Sequence, residues 1–135
     1  MADVTLSTSS KPVAGAIVED GVVSYEAIDA GSAVYKRSDG TWAKGRANAL
    51  ATARVDGFAV STCAAAGQRF SVIRTGDMTT GTLTAGHDLY LSAAVAGKVC
   101  PRDDLVSTNY IVYVGTASST TNLRVNPVNT GVQVP

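Results

Sequence analysis

The chain alternates between short apolar runs and glycine-bearing turns from end to end. Turn signals recur at Asp20-Gly21, Ala30-Gly31, Asp39-Gly40, Asp56-Gly57, Thr75-Gly76, Thr80-Gly81, Ala85-Gly86 and Ala96-Gly97. Glycine supplies the positive φ that tight turns need, and a preceding Asp tolerates the same geometry. Between them lie runs rich in Val, Ile, Tyr, Phe and Thr: 22–28, 33–37, 58–62, 70–74, 89–92, 110–115 and 123–126. Within these runs the period is two. Phe70 and Val72 share one face and Arg69 and Ser71 the other, and Leu89 and Leu91 point together. The spacing predicts an all-β fold, a small barrel or sandwich of short antiparallel strands. Val34-Tyr35-Lys36 and Thr41-Trp42-Ala43, joined by Arg37-Ser38-Asp39-Gly40, read as a hairpin. At most one short helix is expected, over the Ala-rich stretch 46–54, which could equally be a connection between strands.

A weak internal repeat organises these runs. Ala30-Gly31-Ser32-Ala33-Val34-Tyr35-Lys36 matches Ala85-Gly86-His87-Asp88-Leu89-Tyr90-Leu91, 55 positions later. Each copy continues through a short polar strand and a glycine-containing strand to an alternating strand, Arg69-Phe70-Ser71-Val72 in one and Asn122-Leu123-Arg124-Val125 in the other. Two such units predict two pseudo-repeated halves, neither able to cover its apolar face alone. Residues 13–126 then form a single β domain. Residues 1–12, with the polar stretch Thr5–Pro12, read as a flexible arm, and 127–135, beginning at Pro127, as an extended tail.

Composition narrows the function classes. The chain of 135 residues is large enough to bury a core without staples. Eleven basic residues balance eleven acidic ones, and the densest basic group, Lys36, Arg37, Lys44 and Arg46, fits a solvated strand face, so no nucleic-acid partner is expected. No apolar stretch approaches the length of a membrane span and no signal peptide is evident, so no membrane partner is expected and synthesis in a cytoplasm is. Cys63 and Cys100 read as buried thiols in a reducing compartment, with a disulfide between them left open.

Chemistry-bearing constellations are hard to assemble. His87 is the only histidine and sits in a turn whose repeat counterpart is Ser32. Asp20, Asp39 and Asp56 precede glycines and are accounted for by turns, and Asp103-Asp104 after Pro101 could open a helical turn. Neither a calcium loop nor a phosphate-cradling motif is present, although Gly76, Gly81 and Gly86 recur every five residues. Tyr35, Trp42 and Tyr90 fall in expected strands, where cross-strand packing is their ordinary role. The expectation is therefore no catalytic residues, no metal, no cofactor and no enzyme.

The order of these segments resembles a known family. Asp29-Ala30-Gly31-Ser32-Ala33-Val34-Tyr35, Asp39-Gly40-Thr41-Trp42, Asp56-Gly57-Phe58-Ala59-Val60, Ala64-Ala65-Ala66-Gly67-Gln68-Arg69-Phe70-Ser71-Val72, Gly76-Asp77-Met78 and the closing Val112-Tyr113-Val114-Gly115 are similar to the capsid decoration, or head cement, proteins of tailed bacteriophages. The match covers residues 15–126 and consists of turn and strand signatures, without catalytic residues to transfer. The resemblance implies a virion structural protein that binds the outside of an assembled capsid through the major capsid protein. It also implies a homotrimer, and a multivalent reinforcement of the shell. The capsid contacts expected are the arm residues Ala2, Asp3, Val4, Thr5, Leu6, Ser7, Thr8, Ser9, Ser10 and Lys11, together with exposed edge strands. The arm is expected to be removable without unfolding the domain. The alternative is a receptor- or glycan-binding fibre module of a phage particle, with Trp42, Tyr35 and Tyr90 exposed and clustered. A small hydrolase built around His87 or Asp103/Asp104 is the third possibility.

Overall fold

The structure is a computed structural model and describes residues 4, 6–81 and 83–135. It is an all-β protein, with ten strands among the described residues: β1 (Lys11–Pro12), β2 (Ile17–Val23), β3 (Ala33–Lys36), β4 (Trp42–Lys44), β5 (Gly57–Ala59), β6 (Arg69–Thr79), β7 (Asp88–Leu91), β8 (Val99–Cys100), β9 (Tyr110–Ala117) and β10 (Asn122–Gln133). A 3₁₀ turn spans Arg102–Asp104, where Pro101 and the two aspartates suggested a helical turn. All strand pairs are antiparallel, and the sheet order is β4-β3-β5-β6-β10-β9-β7-β8, with β1 and β2 also on β6.

That order is the repeat made physical. Strands β3 to β6 form one half and β7 to β10 the other, and the order reads the same from either end. The halves meet where β6 pairs β10, with Met78 opposite Leu123 and Gly76 opposite Val125. The turns before β3 and β7 both carry a positive-φ glycine, Gly31 and Gly86. Gly57 of β5 and Gly115 of β9 hold equivalent places beside β6 and β10. A Cβ on either would collide with the neighbouring strand, at the carbonyl of Ile73 and of Arg124 respectively. Only glycine lets those backbones approach so closely.

The sheet of β3, β5 and β6 is buried on both faces and separates two cores. Alternation sends Ala33, Phe58 and Ile73 to the larger core and Val34, Ala59 and Val72 to the smaller one. The smaller core is ringed by five strands. After β2 the chain turns back onto the far edge of β4, where the Tyr25 N–H donates to the Trp42 carbonyl (2.8 Å) and the Glu26 carboxylate accepts the Lys44 N–H (3.0 Å). Trp42, 1% exposed, and Phe70 fill this ring. The larger core holds Met78, Leu89, Leu91, Val112, Val114, Leu123 and Val125. It is closed opposite the β6–β10 seam by Gly45–Ala47, which bonds Gly97 and Ser92 (2.7 and 2.9 Å).

Several sequence expectations are corrected. The run 22–28 is not the second strand. β2 begins at Ile17, and Gly21 (φ 71°) lies in a bulge inside it between Glu19 and Val22 rather than in a turn. Gly76 (φ 110°) likewise lies within β6, where the strand passes from one sheet to the other beneath the backbone of Ala16. Of the two readings left open for residues 46–54, a short helix or a connection between strands, the structure has the connection. The Arg46 guanidinium donates to the carbonyls of Ala93 and Ala94, and Ala47 is bonded to Ser92 and Tyr110, so the segment is stretched between neighbours and makes only a turn at Ala49–Ala53. The tail is not separate: β10 runs on to Gln133, with a bulge between Val125 and Val128 that accommodates Pro127.

Candidate functional site

Of the ten arm residues expected to touch a capsid, Ala2, Asp3 and Thr5 lie outside the described residues. The others are placed against the domain. The Val4 N–H donates to the Val99 carbonyl (2.8 Å), extending the sheet beyond β8. Leu6 is 6% exposed and belongs to the larger core. Its backbone and that of Ser7 cross directly over Gly31, where a Cβ would stand 2.7 Å from the Ser7 carbonyl oxygen. Thr80 anchors the next turn: its Oγ1 accepts the Ser7 N–H (3.0 Å) and lies 2.9 Å from the buried Ser10 hydroxyl, which donates to the Ser7 carbonyl (2.5 Å). Lys11 and Pro12 then pair with Thr79 and Met78. The segment 4–12 thus spans from β8 to β6 as a strap over the larger core, in place of the free arm expected. Among its described residues Thr8, Ser9, Lys11 and Pro12 are exposed.

Beside this strap lies a groove of about 270 Å³. Val4, Leu6 and Thr8 form one side, Gly31 and Gly97 line the floor, and Lys44 and Lys98 border it. The Lys44 stem packs on Gly97, where an added Cβ would meet it at 3.0 Å. A second, shallower recess of about 220 Å³ opens where β5 and β10 diverge from β6, between Val55, Arg74, Pro127 and Asn129.

The side chains considered for chemistry are dispersed and locally occupied. His87 is exposed in its turn, its N–H donated to the Thr84 carbonyl. Asp39 holds the β3–β4 hairpin together. Its Oδ1 accepts both the Thr41 hydroxyl (2.6 Å) and the Thr41 N–H (3.0 Å), and Arg37 lies 3.1 Å from Oδ2. Those bonds, the hydroxyl foremost, hold its carboxyl below the usual aspartate value. Asp56 accepts the Lys36 N–H (2.9 Å) and faces Arg54. Asp20 accepts the Ser71 hydroxyl (2.6 Å). Asp103 and Asp104 form the 3₁₀ turn. Among the described residues, no three His, Cys, Asp or Glu side chains converge as a metal site, and no helix is long and apolar enough to cross a membrane. Cys63 and Cys100 are buried in different cores and are not joined to each other.

The three aromatics named for glycan stacking do not form an exposed cluster. Trp42 and Tyr35 are buried, and Tyr90 packs edge-on against Tyr113 with ring centroids 5.8 Å apart. The exposed aromatic is one that the sequence pattern did not single out. Tyr25, 51% exposed, carries the Arg37 guanidinium 3.6 Å above its ring. The two are twelve positions apart and meet only because the chain after β2 joins the edge of β4, a pairing with no signature in residue spacing. Comparison with known proteins finds no matching family model, no matching curated protein and no matching solved structure.

Proposed function

We propose that this chain is a structural virion protein that binds the outer surface of an assembled phage capsid, through the major capsid protein, and stabilises it. In this reading it acts as a homotrimer, is made in the host cytoplasm, and works without a catalytic centre, cofactor, nucleic acid or membrane. The supporting observation is how the chain spends its polar side chains. Asp20, Asp39, Asp56, Gln68 and Thr80 each fix a turn or a strand edge. What the fold offers to the outside is therefore surface. The segments that resemble decoration proteins supply this frame: the hairpin of β3 and β4, the Gly57 crossing, the Gln68 turn before β6 and the bend at Gly76.

A small rigid module suits this task. Each copy needs only a modest affinity, because contacts repeated over a symmetric shell sum through multivalency. The strap offers Thr8, Ser9 and Lys11 as its outward face, so capsid contact through it would use a docked edge rather than a free peptide. The test is mass spectrometry of purified virions, followed by co-sedimentation of the recombinant protein with capsids. The reading expects the protein in virions at high copy number and saturable binding, weakened by the triple change T8A/S9A/K11A. Absence of the protein from virions, together with no co-sedimentation, overturns it.

A further inference from the structure

The groove beside the strap lies where the two halves of the fold touch. There the turn before β3 meets the turn between β7 and β8, and the Ala33 N–H donates to the Gly97 carbonyl (2.9 Å). The floor is bare backbone, because a Cβ on Gly31 (φ 90°) or Gly97 (φ 80°) would collide with the strap or with Lys44. Its N–H groups are spent inside the protein: that of Gly31 on the Ala59 carbonyl and that of Gly97 on the Gly45 carbonyl, both at 2.7 Å. Recognition in the groove is therefore left to the side chains of its walls and rim.

Three of those side chains are charged and none is paired. Lys44 and Lys98 are half-buried and Asp29 is exposed. Among the described residues, neither ammonium group nor the Asp29 carboxylate has a hydrogen bond or an ion pair. Glu26, the acid next to Lys44, accepts the Lys44 backbone N–H (3.0 Å) and forms no ion pair with its ammonium. The guanidinium groups contrast with these lysines. Arg37, Arg54, Arg74 and Arg124 each face a carboxylate, and Arg46 and Arg69 donate to backbone carbonyls. The Lys44 stem lies against Gly97, which holds it along the groove. The remaining walls are mainly apolar, from buried Leu6 to Val95, which is 48% exposed at the rim.

From this geometry we propose that the groove binds an extended acidic peptide segment of a partner protein. Lys44 and Lys98 take its carboxylates in charge-assisted bonds, the apolar walls take its aliphatic side chains, and Asp29 accepts a main-chain N–H. Asp29 decides between peptide and simple anion. Inorganic phosphate or a phosphodiester brings negative charge alone and would set it beside the aspartate. A basic segment would meet two lysines against one aspartate. An extended peptide carries acid, aliphatic and N–H groups together, with its side chains alternating between wall and rim. The inference needs no capsid, and it concerns a groove to which the resemblance to decoration proteins assigns no role.

The experiment follows the amide NMR spectrum of the nitrogen-15-labelled full chain during titration with a capped peptide of alternating glutamate and valine. Parallel titrations use the same peptide with glutamine for glutamate, and sodium acetate and sodium phosphate alone. The expected result is saturable shifts at Gly31, Ser32, Gly97 and Lys98 with the glutamate peptide. Affinity should fall about tenfold for the glutamine peptide and for the double change K44Q/K98Q, the scale of losing two partly exposed ion pairs. The change K36Q, on the β3–β4 hairpin, should leave affinity unchanged. The inference is overturned by a lack of saturable shifts at these amides or by a glutamine peptide that binds as tightly. The same shifts from acetate or phosphate at equal concentration would also overturn it. Should K44Q/K98Q disturb the fold, the parent decides: affinity for the glutamate peptide must fall as salt is raised, and salt-independent binding overturns the inference. Capsid binding that persists after a failed peptide titration would leave the proposed function standing, and peptide binding without capsid binding would count against that function alone.

Discussion

The side-chain amide of Asn129 pairs with both backbone groups of Val55: its Oδ1 accepts the Val55 N–H at 2.8 Å and its Nδ2 donates to the Val55 carbonyl at 3.2 Å. One side chain thereby takes the place of a strand where regular pairing between the halves stops. β10 leaves β6 after Val125, β5 begins at Gly57, and Asn129 spans the fork between them. Val55 is fully buried, so its N–H and carbonyl depend on this partner.

Replacing Asn129 by Ala leaves a buried donor and acceptor without their partner. The expected loss is about 1–2 kcal/mol, toward the lower part of the usual range because water reaches the recess. Urea denaturation of the parent and N129A measures it; equal midpoints would show that the bridge contributes nothing.

Gly57→Ala and Gly115→Ala should each destabilise by about 1–3 kcal/mol, since the added methyl meets a strand backbone that has no rotamer with which to yield. Gly40→Ala is the comparison. Its Cβ would meet nothing within 4 Å, and its cost comes only from the positive φ, about 1–2 kcal/mol. The steric account requires the two pseudo-equivalent sites to behave alike in thermal melts, and a harmless alanine at either one would contradict it.

The strap over the larger core yields a prediction opposite to the one its polar sequence suggests. Leu6→Ala removes a core side chain and should cost about 2–4 kcal/mol, within the range of large-to-small core changes. Removing residues 2–11 should expose Gly31 and the Thr80 turn and lower the melting temperature, rather than leave the domain intact. Differential scanning calorimetry distinguishes the two outcomes.

Asp39 should titrate below the ordinary aspartate range, and its carbon-13 carboxyl shift followed by NMR reports the midpoint. The sign follows from linkage. A folded value beneath the unfolded one means that the carboxylate supports the hairpin above the unfolded pKa of about 3.9, and that this support fades as pH falls through the folded value. Asp39→Asn keeps an acceptor for Thr41 and removes this pH dependence from the hairpin.

Much of the frame was legible in the sequence because it is written in local signals. The Asp39-Gly40 hairpin, the turns at Gly31 and Gly86, the alternation in β6 and β7, and the repeat all rest on residues near one another along the chain. What escaped depends on distant partners. Ser7 and Ser10 look like linker residues until Thr80, seventy positions away, supplies their hydrogen bonds. Gly21 and Gly76 carry the positive φ of turns but sit in a bulge and a bend within strands. The Ala-rich stretch at 46–54 favours helix weakly, and the carbonyls of Ala93 and Ala94 holding Arg46 outweigh that preference. Nor does residue spacing show that the strand register gathers Tyr90, Tyr113 and Val128 into one row.

The most direct test of the proposed function is a cryo-electron microscopy map of the phage particle that encodes this chain. The account predicts density for the double-cored β module on the outer capsid surface, at symmetry-related positions. A map that resolves the shell with nothing bound outside it, or that places the chain in a fibre or inside the head, would contradict it.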